Sequence, residues 1–154
     1  SEMCIRDSPT GRWQLEDDPK AHDPQADIVL RALDPTNPRK PTLAADLLVL
    51  HLPKEGDPLA QVKAHLRAKQ QREGNPDSQI VEIDGTRKDK VGNHDGTVVH
   101  WRIDNGGVRD RLAVVAIVPR GDSLLVLYGD CAWDRRFTWE EAFNQLIGSL
   151  QLDP

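Results

Sequence analysis

The sequence predicts an α+β fold, a central antiparallel β-sheet with two main α-helices packed on it, and three observations carry that prediction. First, Thr97–Ile103, Arg111–Val118 and Ser123–Tyr128 are apolar runs separated by short connections, one of seven residues opening on the turn-rich Asp104-Asn-Gly-Gly107 and the other Pro119-Arg-Gly-Asp122. Connections this short join antiparallel neighbours, because a parallel return needs a dozen or more residues. Second, Thr138-Trp-Glu-Glu141 has the form of a capping box, and Trp139, Phe143, Leu146, Ile147 and Leu150 follow on one helical stripe. Third, Asp57-Pro58 pairs a helix-capping residue with a proline at the first helical position, and Leu59, Val62 and Leu66 recur at helical spacing behind it. These signals set helices at about 57–73 and 138–151. Each must bury its apolar stripe, and the sheet is the available partner.

Taken in order, Ser1-Glu-Met-Cys-Ile-Arg-Asp-Ser8 resembles the in-frame translation of a transposase adapter end used in preparing sequencing libraries. We read residues 1–8 as foreign to the domain and residues 9–154 as a single domain. On that reading the missing leader says nothing about compartment. Pro9 to Pro41 is rich in proline and acidic residues, interrupted by Ala26–Leu33, whose apolar run suits a strand better than a two-turn helix. Asp34–Pro41 reads as a stiff loop. Leu43–Leu52 could form a strand or a short helix, and the bracketing Pro41 and Pro53 favour the strand. Behind the first helix, whose outer side carries Lys63, Arg67, Lys69, Gln70 and Arg72, Gln79–Ile83 is a short strand. Gly85 to Gly96 reads as a polar connection.

Composition bounds the function. A chain of 154 residues suits one domain with a sizeable core. A formal charge of −5, from 25 acidic and 20 basic side chains, provides no footprint for phosphate backbones, so no nucleic-acid partner is expected. The longest apolar runs fall far short of the roughly 20 residues that span a bilayer. With Cys4 inside the adapter-like segment, Cys131 has no partner for an intrachain disulfide.

The order strand, strand, helix, strand, three antiparallel strands, helix resembles the PsbP-like superfamily. That group also holds the Mog-type nuclear import factor, the DcrB-type envelope lipoproteins and the Eag chaperones. The residues carrying the resemblance are a Pro-x-x-x-Trp start (Pro9 to Trp13), the strand Ile28–Leu33, the helix from Asp57, the three consecutive strands, and Phe-x-x-Leu-Ile-x-Ser-Leu from Phe143 to Leu150. In such domains an edge strand commonly precedes the Pro/Trp segment, so the resemblance implies that the native first strand is missing. It also implies a binding or accessory module without a catalytic centre, with a protein partner and an envelope location if a signal or lipoprotein segment stood upstream. No family site carries over to particular residues.

Candidate chemistry is sparse. Cys131, in Tyr128-Gly-Asp-Cys-Ala-Trp133, would need a base or cation to become a nucleophile, and His100 is the available partner; this is the rival reading, a small thiol or hydrolytic enzyme. A third reading, a chaperone for apolar segments, requires a broad exposed apolar groove. Glu16, Asp17, Asp18, His22 and Asp23 crowd together, but their spacing matches neither a calcium loop nor a zinc pair. We expect a solvated acidic loop there, with no metal and no cofactor. Arg120-Gly-Asp122 has the residues of a hairpin turn. Trp101 alternates with Val99 and Ile103 and is expected in the core, its indole N–H partnered, with His100 and Arg102 on the opposite face. The expected partner-binding patch is Trp133, Arg135, Arg136 and Phe137, two cations beside two aromatic rings in the loop before the last helix.

An adapter-derived segment has no evolved contacts to lose. Deleting residues 1–8 is therefore expected to leave the unfolding midpoint unchanged in a thermal or urea melt, whereas a drop beyond error would show that the octapeptide belongs to the domain.

Overall fold

The computed structural model describes residues 2–3, 13–34 and 42–151. Its elements in chain order are β1 (Glu2–Met3), β2 (Trp13–Leu15), α1 (Pro19–His22), β3 (Ala26–Asp34), β4 (Thr42–Pro53), α2 (Pro58–Arg72), β5 (Gln79–Glu82), β6 (Arg87–Val91), β7 (His94–Asp104), β8 (Arg111–Arg120), β9 (Ser123–Ala132), α3 (Arg136–Gly148) and β10 (Leu150–Gln151). Strands β2 to β9 form one eight-stranded sheet in the order β2-β3-β4-β9-β8-β7-β5, with β6 pairing along β7 beside β5. Every pairing is antiparallel. A separate two-residue ladder joins β1 to β10, so residues 2–3 of the octapeptide expected to be foreign to the domain pair with its C-terminal strand, and the deletion of residues 1–8 tests whether that pairing contributes to stability. Pro9 and residues 35–41, where a stiff loop is expected, lie outside the described residues.

Both faces of the sheet are covered. On one face Leu112, Val114, Ala116 and Val118 of β8 and Leu125, Leu127 and Cys131 of β9 meet Trp139, Ala142, Phe143, Leu146 and Ile147 of α3. On the other face Ala113, Val115 and Ile117, with Val126 and Tyr128, pack with Val62 and Leu66 of α2. Alternating residues of the same two strands thus serve two cores, which is why β8 and β9 are apolar almost throughout. Phe143 docks where β9 carries Gly129, and a Cβ at that glycine would lie 2.7 Å from the ring. Trp13 of β2 closes the end of this core, edge-on to Trp139 with ring centroids 5.6 Å apart.

The three consecutive strands and both helices form as the sequence predicts, but several local expectations need correction. The segment 85–96 is largely a hairpin, in which β6 and β7 are joined by Gly92-Asn93 with Gly92 at φ 62°. Its outer strand is Arg87-Lys-Asp-Lys90, exposed throughout, and such a charged edge strand shows no apolar alternation to read. Gly121, at φ 60°, makes the equivalent turn between β8 and β9, so Arg120-Gly-Asp122 is indeed a hairpin turn. Helix α3 begins at Arg136, continuous with a 3-10 turn over Trp133–Arg135, and has no side-chain cap. The predicted capping box at Thr138 therefore lies inside the first turn, and Leu150 falls in β10 beyond the helix end.

The outer side of α2 is not simply solvated. Lys69 and Gln70 are buried, and Gln70 Oε1 accepts hydrogen bonds from the side-chain amides of Asn75 and Asn105 at 3.3 and 3.1 Å. Lys63 Nζ lies 5.4 Å from the centroid of the Trp101 ring. Trp101 itself is fully buried as expected, yet its indole nitrogen has no hydrogen-bond partner. The ring is enclosed by an apolar core and a cation above its face, neither of which offers an acceptor.

The seat of Phe143 generates a test of the α3 core. Phe143→Ala is expected to destabilise the fold by about 3–5 kcal/mol in denaturant unfolding, as for a large buried ring replaced by a cavity. Gly129→Ala, which adds a methyl against the same ring, is expected to cost about 1–3 kcal/mol. Effects below about 1 kcal/mol for both would show that α3 does not cover the sheet as described.

Candidate functional site

The residues of the expected partner-binding patch lie at the junction of β9 and α3. Their scaffold begins with Asp110, a buried carboxylate just before β8. Arg102 of β7 donates to its Oδ2 from Nε and Nη2 at 2.8 and 2.6 Å, and the Asn105 amide donates to Oδ1 at 2.8 Å. Burial pushes this carboxyl upward, but the bonds from Arg102 and Asn105 outweigh it and hold the group below the usual carboxylate range. The Asp110 carbonyl in turn accepts from the backbone N–H of Trp133 at 3.0 Å. Trp133 is thereby placed under the Arg102 guanidinium, 4.4 Å from its ring centroid.

Arg136 completes a stack. Its guanidinium lies 4.2 Å from the Trp133 centroid and 4.4 Å from that of Phe137, and its Nη1 donates to the Trp133 carbonyl at 2.8 Å. Phe137, on the first turn of α3, is 79% exposed. Arg135 lies in the 3-10 turn ahead of it, at the surface. The structure thus brings Trp133, Arg136 and Phe137 together and adds Arg102. That residue was legible only as facing away from Trp101, because nothing in its own segment marks the ring it covers.

The rival pair does not assemble. Cys131 is fully buried inside β9, between Ala45 of β4 and Leu112 of β8. Burial pushes its thiol up to about 12, with the neighbouring Asp130 adding to the effect. His100 lies on the α3 side of the sheet, but β8 separates its strand from β9, and its register partner is Val114. Its ring nitrogens face other groups: Asp84 Oδ2 is 3.1 Å from Nδ1, and Glu140 Oε1 is 3.6 Å from Nε2. These three side chains could share a cation, since one donor atom from each lies within 4.8 Å of the others. Their wide separation along the chain hides the grouping from any spacing rule.

The acidic segment near the N-terminus is dispersed. Glu16 pairs with Arg31 at 3.4 Å. Asp23, expected in a solvated loop, is buried, because its carboxylate accepts from the Gln25 amide at 2.9 Å and meets His65 Nε2 of α2 at 2.7 Å. Burial acts to raise this carboxyl, and the bonds to His65 and Gln25 more than offset it, leaving it lowered. A cavity of about 490 Å³ opens beside α2, with Tyr128, Asp130, Arg111, Lys69 and Asn105 among its lining residues. Several of its charges are paired: Arg111 Nε donates to Asp130 at 2.6 Å, Arg31 Nε donates to Asp46 at 2.9 Å, and Lys69 meets Glu73. Among the described residues the exposed large apolar side chains are Leu15, Leu43, Val81, Ile83 and Phe137, distributed over β2, β4, the β5 edge and α3. They line no broad apolar groove of the kind a chaperone for apolar segments needs.

Solved structures place this architecture. The chain is similar to cyanobacterial PsbP (CyanoP) from Synechocystis sp. PCC 6803, with a TM-score of 0.61 and 17% identity over 92% of this chain and 82% of that one. It is similar to LpqN, involved in cell envelope biogenesis of Mycobacterium tuberculosis, with a TM-score of 0.55 and 16% identity over 99% and 83%. It is also similar to PA94 from Pseudomonas aeruginosa, described as a protein of unknown function and putative regulator, with a TM-score of 0.53 and 14% identity over 100% and 99%. No protein-family model and no curated protein sequence matches the chain. The fold is PsbP-like, as the order of elements predicts. No helix among the described residues is long and apolar enough to cross a membrane.

A thiol pushed to about 12 is almost wholly protonated at neutral pH. Labelling of the folded protein at Cys131 by an aromatic disulfide reagent at pH 7.5 is therefore expected to be slow, and to accelerate sharply in denaturant. Rapid labelling of Cys131 in the native state, read in a Cys4→Ser variant, would place the thiol in an accessible, activated setting instead.

Proposed function

We propose that the chain is a non-enzymatic binding module of the accessory kind, which recognises a protein partner through Trp133, Arg136 and Phe137 with Arg102 behind them. The observation that carries this reading is the exposed Phe137 ring, held against Arg136 in a stack that continues through Trp133 to Arg102. Aromatic and arginine side chains dominate interface hot spots, and a pre-ordered stack loses little conformational entropy on binding. The chemistry fits a partner offering an apolar pocket for Phe137, flanked by carboxylates for the guanidinium groups. Arg135, adjacent in the same turn, belongs to the proposed patch. An envelope location is supported by the involvement of the structurally similar LpqN in cell envelope biogenesis.

The test uses partner capture from a bacterial envelope extract on the immobilised full chain. Phe137→Ala combined with Arg136→Ala is expected to weaken a captured partner at least about thirtyfold, the loss of one hot spot of about 2 kcal/mol. Folding is expected to change by about 1–2 kcal/mol, because the Phe137 ring is exposed while Arg136 gives up its stack on Trp133 and its bond to the Trp133 carbonyl. A partner that holds the double variant as tightly as the native chain would refute the assignment.

A further inference from the structure

We propose that Asp84, His100 and Glu140 form a binding site for one divalent transition-metal ion of the Zn²⁺ class, tying α3 to the β5–β6 edge of the sheet. His100 is only 2% exposed, yet its Nε2 is buried without a hydrogen-bond partner. Buried polar nitrogens are almost always satisfied, so an orphan on an imidazole aimed between two carboxylates calls for a missing partner. An imidazolium bridging both carboxylates would hydrogen-bond to each. Here the Nε2 to Glu140 distance is 3.6 Å, too long for that bond.

The same distance suits two ligands of one ion. Bonds of about 2.0–2.2 Å in a tetrahedral site separate ligand atoms by roughly 3.3–3.6 Å. One donor atom of each side chain already lies within 4.8 Å of the others; Asp84 Oδ2 now sits 3.1 Å from Nδ1, and its exposed carboxylate must swing toward Nε2 to complete the site. The two carboxylates bring negative charge to the imidazole, and a cation shared by the three balances it. One imidazole with two carboxylates is a mixed nitrogen and oxygen set that favours Zn²⁺-like ions over Ca²⁺ or Mg²⁺, which prefer all-oxygen surroundings. Asp84 and Glu140 are 57% and 36% exposed, giving the ion a path from solvent and leaving a fourth position for water.

Each ligand comes from a different part of the fold. His100 is on β7, Asp84 follows β5, and Glu140 is one turn beyond Arg136 on α3. The site is separate from the proposed recognition patch, so either can fail without the other.

The experiment is calorimetric titration of ZnCl₂ into the metal-stripped full chain, with thermal melts alongside. The native chain is expected to bind one Zn²⁺ and melt at a higher temperature with the ion, while equal concentrations of CaCl₂ or MgCl₂ produce no shift. Asp84→Asn and Glu140→Gln, at partly exposed positions where folding is retained, are each expected to weaken binding at least tenfold. The nitrogen resonances of the His100 ring should move on saturation. Failure of the native chain to saturate with Zn²⁺ below millimolar concentration would overturn the proposal. Equal affinity in both variants, or His100 resonances that stay in place, would overturn it as well by locating binding elsewhere.

Discussion

A sheet whose two middle strands are buried on both faces has to be covered twice, and the rest of the structure follows from that requirement. Residues of β8 and β9 alternate between a core closed by α3 and a core closed by α2. Burying a Val, Leu or Ile side chain contributes about 1.5–3 kcal/mol, so leaving either face open would forfeit much of the stability of the domain. Helix α2 also solves a problem of connection. It carries the chain from β4 to β5, which lie on opposite sides of β9, β8 and β7 in the sheet.

Strand β7 turns this covering into surface chemistry. His100 and Arg102 are two residues apart and so face the same side, the side that α3 covers. Arg102 reaches Trp133 and His100 reaches Glu140, at the entrance and the second turn of the same helix. The docking of α3 over β8 and β9 therefore brings its first turns within reach of the β7 side chains and assembles both the cation–aromatic stack and the imidazole–carboxylate cluster. Beneath them Gly129 leaves room for Phe143, which sets how closely α3 approaches.

Buried polar groups elsewhere are mostly consumed in internal pairing. Asp23 with His65 ties the segment before β3 to α2, Asp110 with Arg102 ties the β7–β8 connection to the sheet, and Asp130 accepts from both Arg111 and Tyr128. At Asp23 and Asp110 the donors outweigh desolvation and hold the carboxyl low, whereas at Asp130 burial prevails over Arg111 and Tyr128 and raises it. His100 Nε2 differs from these in lacking a partner, and this distinguishes its cluster from a structural ion pair.

The sequence by itself determined the elements whose signals are local. Apolar alternation with Gly-bearing turns specified β7, β8 and β9, the Asp57-Pro58 start specified α2, and the stripe Trp139, Phe143, Leu146, Ile147 specified the buried side of α3. Those patterns reflect backbone periodicity, which any short window contains. That Trp133, Arg136 and Phe137 lie side by side was legible as well, since they are near neighbours in the chain. The β6 strand was not, because a solvent-facing edge of Arg and Lys carries no apolar period. Nor could a window show that Asp23 and Gln70 would be buried, that Cys131 and His100 would stand apart, or that Arg102 would cover Trp133. Only the tertiary structure decided these, because strand order and helix docking bring together residues distant in the chain, and the partners that settle each polar group lie on different elements.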